Sequence, residues 1–169
     1  VQNSAAELVA IAGDGSYRDT LSTLEKVLAS LGESREVDGD LAARIVGAPR
    51  HEIVNRILRA IEAKNPSDAL MAIRDADSER VDPQFFARLV LMKLRAVLLL
   101  RYAPDMLAQI AEEYSPDDVA LLRSLAESSL RNINSHTLLA FLEVLPLAKA
   151  AVVPSLPIEI AVIRACGEK

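Results

Sequence analysis

The sequence predicts an all-α protein, and three features of it carry the prediction. Apolar residues recur at spacings of three and four along nearly all 169 residues, the period of a helix with one buried side. No stretch alternates apolar and polar residues as a half-buried strand would. Helix-start signals, in which a capping residue precedes proline, occur at Ser115-Pro116, Asn65-Pro66 and Asp82-Pro83.

Together these signals place ten helices with short connections between them. They span residues 4–12, 16–31, 38–46, 49–63, 66–76, 83–102, 104–113, 116–132, 136–150 and 157–166. The helix over residues 83–102 is apolar on most of its circumference, with Phe85, Leu89 and Val97 among its residues. We therefore expect neighbours to cover it on several sides. If Leu89 is buried, Leu89→Ala should cost about 2–5 kcal/mol.

Composition indicates a globular protein, since hydrophobic residues make up 51% and charged residues 25% of the chain. No uncharged run reaches the 18 or so residues that a membrane span needs, because Lys93 and Arg95 interrupt the most apolar stretch. The single cysteine, Cys166, suits a reducing compartment, so we expect a cytoplasmic protein. The chain begins at Val1 without a signal pattern, and we expect it to be a segment of a longer protein.

A domain boundary is predicted at Gly47. Residues 1–46 hold eight acids and four bases, a net charge of −4, whereas residues 47–113 hold ten of each. Gly47 suits the left-handed conformation that ends a helix, and Pro49 suits the start of the next one. The expected architecture is a small helical unit over residues 1–46 followed by a larger helical bundle over residues 48–169.

Few residues have the pattern of a catalytic or metal site. None of the six glycines begins a phosphate-binding loop. His51 and His136 lack ligands at metal-binding spacing, so we predict no metal and no catalytic residue. His136 and Cys166 could form a nucleophilic pair only through the fold, and a buried, inert Cys166 is the simpler interpretation.

Two charged groups have alternative interpretations. Asp117 and Asp118 follow Pro116, where carboxylates stabilise the first turn of a helix, so we favour that role over a catalytic pair. The second group is basic and has Glu52 and Glu62 interleaved; it consists of Arg50, Arg56, Arg59 and Lys64. It predicts a solvated face, or otherwise a contact with a partner or a DNA backbone. The net charge of −5 and the lack of a basic tail argue against nucleic-acid binding by this segment.

Residues 13–19 form the most informative cluster, with the sequence GDGSYRD. Gly13 would end the first helix, Ser16 would cap the second, and Asp19 would occupy the acidic position of a capping box. Arg18 has no place in that account, because a cation in the first turn opposes the helix dipole. This leaves Arg18 as a candidate functional residue.

At this cluster the chain resembles the gamma/tau family of bacterial DNA polymerase III subunits, the AAA+ motors of the replication clamp loader. The resemblance begins with AIAGDGSYRD at residues 10–19 and LSxL at residues 21–24, and continues through residues 37–47. It also includes IxxIxxAI at residues 53–61, DAL at 68–70, the helix at residues 85–100 and LPIEIAVIR at residues 156–164. Thr20 replaces the usual alanine, and Glu25-Lys26 replace the usual Asp-Gln.

The resemblance implies that residues 1–46 are the end of the AAA+ lid and that residues 48–169 are the oligomerisation, or collar, domain. Arg18 then corresponds to the sensor-2 arginine, which contacts ATP held with magnesium by an ATPase domain outside this chain. The implied partners are copies of the chain and sibling clamp loader subunits. The segment itself would be no enzyme and would hold no cofactor, although the parent protein would be an ATPase of the DNA polymerase III holoenzyme.

Three other functions compete with this assembly role. A stand-alone helical adaptor, which binds a protein through an apolar surface, is the main alternative. An enzyme ranks below it because no nucleophile, base or metal cluster is evident. A direct DNA-binding module ranks last, and binding with a steep salt dependence would identify it.

Overall fold

A computed structural model describes residues 3–13, 15–31, 36–49, 51–148 and 151–167. These residues form helices and connections without a strand, which confirms the all-α prediction. The helices are α1 (Asn3–Ala12), α2 (Tyr17–Ala29), α3 (Gly39–Val46), α4 (His51–Glu62), α5 (Pro66–Ser78), α6 (Pro83–Tyr102), α7 (Leu107–Glu113), α8 (Pro116–Glu127), α9 (Ser135–Ala148) and α10 (Leu156–Cys166). A short 3-10 turn, Pro104–Met106, precedes α7.

The capping residues foreseen in the sequence start four of the helices. The side chains of Ser16, Asn65, Asp82 and Ser115 each accept a hydrogen bond from the backbone N–H three residues later. These bonds satisfy N–H groups that the first helical turn leaves unpaired. Gly47 ends α3 with a φ of 69°, a left-handed conformation that suits glycine.

Helix α6 is central, as its composition predicts. It packs against α4, α8 and α9, and at one end against α1. Val90, Leu94 and Val97 are fully buried in the main core, which α4, α5, α8, α9 and α10 complete. Leu89 is only partly buried and touches both hydrophobic clusters, so the cavity-forming cost expected at Leu89 belongs instead to fully buried positions such as Leu94.

A second, smaller hydrophobic cluster joins α1, α2 and α3. Its buried residues include Ala5, Val9, Val27 and Ala42, and Phe85 at the start of α6 completes it. The first three helices thus have a core of their own, and Phe85 and Leu89 of α6 connect that core to the larger bundle. The division into domains at residues 1–46 and 48–169 stays a prediction.

Several predicted boundaries need correction. The helix predicted over residues 116–132 ends at Glu127, and residues 128–134 form an irregular connection instead. Arg101 explains this connection, because its guanidinium donates to the carbonyls of Leu125, Ala126 and Ile133. The predicted helix over residues 104–113 begins as the 3-10 turn. Asp14, Arg50 and residues 149–150, at the predicted end of α9, lie outside the described residues.

Candidate functional site

Arg18 is the second residue of α2, and its side chain is exposed. Among the described residues it makes no hydrogen bond or ion pair with another. The backbone on either side of Arg18 has a defined conformation. Ser16 Oγ accepts a hydrogen bond from the backbone N–H of Asp19 at 3.3 Å, and Gly15 turns the chain with a φ of 77°. The arrangement presents a guanidinium beside the first turn of a helix, where the dipole and free N–H groups favour an anion.

Gly13 holds the preceding turn tightly against α2. Its carbonyl accepts from the backbone N–H of Ser16 at 2.8 Å. A Cβ at position 13 would lie 1.9 Å from Thr20 Oγ1 and 2.9 Å from Thr20 Cα. Because part of that clash is with backbone, only glycine allows α1 and α2 to approach so closely here. This contact fixes where α2 begins and hence where Arg18 projects.

A buried ion pair lies where α4, α6 and α8 meet. Lys93 Nζ is 2.7 Å from Asp118 Oδ1, and it also donates to Asn55 Oδ1 at 2.8 Å. Asn55 Nδ2 in turn donates to Asp118 Oδ1 at 2.7 Å. His51 Nδ1 lies 3.4 Å from the second carboxylate oxygen of Asp118. Charged groups so well buried persist in a protein only when they are paired and hydrogen-bonded.

The network holds Asp118 in its ionised form. Burial alone would raise the pKa of Asp118, but the hydrogen bond to His51 and the charge of Lys93 outweigh it and hold that pKa well below its usual range. Burial lowers the pKa of Lys93, while Asp118 opposes that effect. The interpretation of Asp118 as only a first-turn carboxylate is therefore incomplete: its N–H is capped by Ser115 Oγ at 3.2 Å, but its carboxylate belongs to the buried pair.

A cleft of about 280 Å³ opens beside this network, between α1 and the larger bundle. Apolar walls come from Leu8, Ile11 and Met92. Glu7 enters from α1, and burial together with the charge of Glu113 raises the pKa of Glu7 from 4.5 to about 7. Burial also raises the pKa of Tyr114. We call this space the junction cleft, since it is lined by helices of both hydrophobic clusters.

Sequence reasoning did not find the junction cleft. Its acids, cations and aromatic ring are spread from Glu7 to Asp118, and each has an ordinary local interpretation. The one feature of the sequence that points to the buried ion pair is Lys93, a charged residue in the middle of the most apolar helix. A lysine there needs a buried partner, but the sequence does not say which carboxylate supplies it.

Large apolar side chains are exposed on α9, on α10 and in the connection between them. On α9, Leu139, Leu142 and Leu147 are 52%, 48% and 59% exposed. The other contributors are Val152, Val153, Leu156, Ile160 and Ile163. Glu143 and Arg164 join the two helices across this surface, with Arg164 Nη1 3.1 Å from Glu143 Oε2. We call it the α9–α10 face; apolar patches of this kind mark interaction sites on globular proteins.

The remaining candidates lie in ordinary settings. Cys166 is buried, and burial raises the pKa of its thiol, which opposes nucleophilic activation. His136 and Asp117 are exposed. On the basic side of α4, Arg56 donates hydrogen bonds to two aspartates of α5, Asp68 Oδ1 at 2.7 Å and Asp75 Oδ2 at 2.9 Å. Arg59 and Lys64 are exposed.

Neither a metal cluster nor a membrane span occurs in the part of the chain that the structure describes. Three or more His, Cys, Asp or Glu side chains do not converge there in a way that could hold a metal ion. The helices over the same residues are too short or too polar to cross a bilayer.

The fold defines a class: an all-helical segment with two hydrophobic clusters and exposed apolar side chains on α9 and α10. Among curated proteins, it is 28% identical over 127 residues to DNA polymerase III subunit tau of Bacillus subtilis. It is 27% identical over 168 residues to DNA polymerase III subunit gamma/tau of Mycobacterium tuberculosis and of Mycobacterium bovis. No family model matches the chain.

These matches confirm the resemblance stated from the sequence. They cover 75% of the chain in the first case and 97% in the others, so the similarity is not confined to one motif. The chain is thus a homologue of a segment of DNA polymerase III tau and gamma/tau subunits. It spans 22% to 28% of the length of those relatives.

Proposed function

We propose that this chain is the assembly segment of a clamp loader subunit, with a lid over residues 1–46 and a collar domain over residues 48–169. In this proposal the collar holds clamp loader subunits together, and the lid carries an arginine for ATP bound elsewhere in the parent protein. The observation that carries it is the α9–α10 face in a homologue of proteins named as subunits.

The α9–α10 face suits a subunit contact for a physical reason. Both helices already bury a full side in the main core, through Phe141 and Val144 on α9 and Ile158 and Val162 on α10. Their outer leucines and isoleucines remain partly exposed to water. Water-exposed aliphatic surface is unfavourable by about 25 cal/mol per Å², and a partner subunit would remove that cost. The partners proposed are copies of this chain and sibling subunits.

Arg18 suits the sensor-2 role that the family resemblance implies. It is exposed, it stands in the first turn of α2, and Gly13 and Ser16 fix the turn that presents it. An arginine at that position gives phosphate oxygens a forked, permanently charged donor beside free backbone N–H groups. ATP and magnesium would be held by the ATPase domain of the parent protein, which supplies the enzyme activity, and the assembly would work in the cytoplasm.

Self-association of the chain tests the collar proposal. Sedimentation velocity at chain concentrations from micromolar to hundreds of micromolar should reveal concentration-dependent association. Leu142→Glu places a charge on the α9–α10 face and should weaken association at least tenfold. Leu28→Glu is the matched control, because Leu28 on α2 is 45% exposed and Leu142 is 48% exposed.

The same two variants in the parent protein test contacts with sibling subunits. Co-purification of the clamp loader subunits should fail with Leu142→Glu and succeed with Leu28→Glu. If both variants assemble as the unaltered protein does, the α9–α10 face is not the subunit contact and the collar proposal is wrong in its central claim.

A further inference from the structure

Glu7 of α1 lines the junction cleft, where α1 lies against α6 and α7. Around it the helix is held by apolar contacts, with Phe85 and Leu89 of α6 in the cluster of α1. One polar contact adds to them, since Arg88 Nη1 lies 3.4 Å from the carbonyl of Ile11. Helix α1 contacts α6 and α7 less extensively than it contacts α3, so we expect one charge in the cleft to affect the contact with α6 and α7.

The ionisable groups that face Glu7 across the cleft come from every neighbouring element. They are Asp38 before α3, His51 on α4, Lys93 on α6, Glu113 on α7, Tyr114 after α7 and Asp118 on α8. Lys93 is the one permanent cation among them, and Asp118 already engages it at 2.7 Å. An ionised Glu7 would therefore have to share Lys93 with Asp118, while Glu113 and Asp118 repel it.

We propose that Glu7 is a proton-sensitive latch, which holds α1 against α6 and α7 when its carboxyl is neutral and loosens that contact when it ionises. The neutral carboxyl suits a cleft with apolar walls, whereas the ionised form adds a desolvated negative charge beside two others. The proposal does not depend on the clamp loader assignment, because it rests on contacts within this chain.

The direction of the pH effect follows from the two states of Glu7. With α1 docked, burial and Glu113 raise the pKa of Glu7 to about 7, against 4.5 for an ordinary glutamate. The docked state thus binds a proton more tightly than the open state. Docking is strongest below pH 4.5, weakens as the pH rises to about 7, and changes no further above that. A shift from 4.5 to about 7 corresponds to a loss of at most about 300-fold in the docking equilibrium.

Amide hydrogen exchange of the whole chain measures this equilibrium. Protection factors, which are corrected for the intrinsic effect of pH, report the opening of α1. We expect those of Leu8 and Val9 to fall about 40-fold between pH 5 and pH 7. Amides in the main core, such as those of Leu94 and Val97, should keep their protection and show that the bundle stays folded.

Glu7→Gln is the decisive variant, since the amide keeps the shape of the neutral acid. Protection of α1 in this variant should be high and independent of pH. Glu113→Gln should reduce the pH dependence by removing one repelling charge, and Glu112→Gln, which changes a neighbouring exposed acid outside the cleft, should behave as the unaltered chain does. A flat profile in the unaltered chain, or an undiminished fall in Glu7→Gln, overturns the latch.

Discussion

Lys93 and Asp118 face each other at 2.7 Å, and 5% and 2% of their surfaces are exposed. Helix α6 carries the lysine in its apolar middle, and α8 supplies the aspartate from its first turn. The pair links two helices of the main core, next to the junction cleft. Removing one charge of the pair and removing both should therefore change the free energy of unfolding by different amounts.

Lys93→Met should destabilise the fold by about 3–5 kcal/mol, because it leaves the Asp118 carboxylate buried without its cation. The double variant Lys93→Met/Asp118→Leu should recover much of that loss, since neither charge is then buried alone. Urea denaturation measures both variants, and the double-mutant cycle gives the coupling between the residues.

Arg123→Met provides the control for that experiment. Arg123 pairs with Glu127 at 2.9 Å, but their side chains are 63% and 66% exposed. Removing an exposed pair should cost less than about 1 kcal/mol. Equal effects of Lys93→Met and Arg123→Met would contradict the assignment of Lys93 to a buried network.

Acid should weaken the fold through Asp118. The pKa of its carboxyl is well below the usual 3.8 in the folded chain, so its contribution is present above about pH 4 and is lost as the pH falls further. Asp118→Asn removes this titration. The stability difference between the unaltered chain and Asp118→Asn should shrink by up to about 1.4 kcal/mol per pH unit below pH 4. Urea denaturation at a series of pH values measures it, and a difference that does not change with pH would refute the prediction.

Arg101 should be needed for the connection between α8 and α9. Its guanidinium donates to three carbonyls, those of Leu125, Ala126 and Ile133, at the end of a helix where carbonyls lack partners. We expect Arg101→Met to cost about 2–4 kcal/mol by losing several charge-assisted bonds. Arg101→Lys should recover only a small part, because an ammonium cannot reproduce the planar fork. Thermal unfolding tests both, and full recovery by lysine would show that charge alone suffices.

The helices could be predicted from the sequence because local signals determine them. Ser16, Asn65, Asp82 and Ser115 cap helices where the pattern indicates. The end of α8 was missed because residues 128–132 continue a helical pattern, and the reason that they are not helical is Arg101, which lies more than twenty residues away along the chain.

The candidate sites also differ in whether a local sequence pattern could reveal them. Arg18 could be found because its motif is contiguous, and the α9–α10 face could not, since periodicity does not tell which side of an apolar helix stays uncovered. The junction cleft depends on Glu7, Lys93 and Asp118 meeting in space. Such a meeting is a property of tertiary packing, which the spacing of residues in the sequence does not record.

Arg18→Ala should impair the parent protein in ATP use without affecting the fold. The side chain is exposed and makes no hydrogen bond or ion pair with another described residue, so its loss should leave the thermal unfolding of this chain unchanged. If the proposed sensor-2 role holds, the rate of ATP hydrolysis by the parent protein should fall at least tenfold, because one forked donor to the phosphates is removed. Arg44→Ala is the matched control, since Arg44 is also exposed on a helix of the small unit but lies in the last turn of α3. Equal ATPase rates in the two variants would rule out a role for Arg18 in nucleotide contact, whereas a selective loss in Arg18→Ala would support the sensor-2 role.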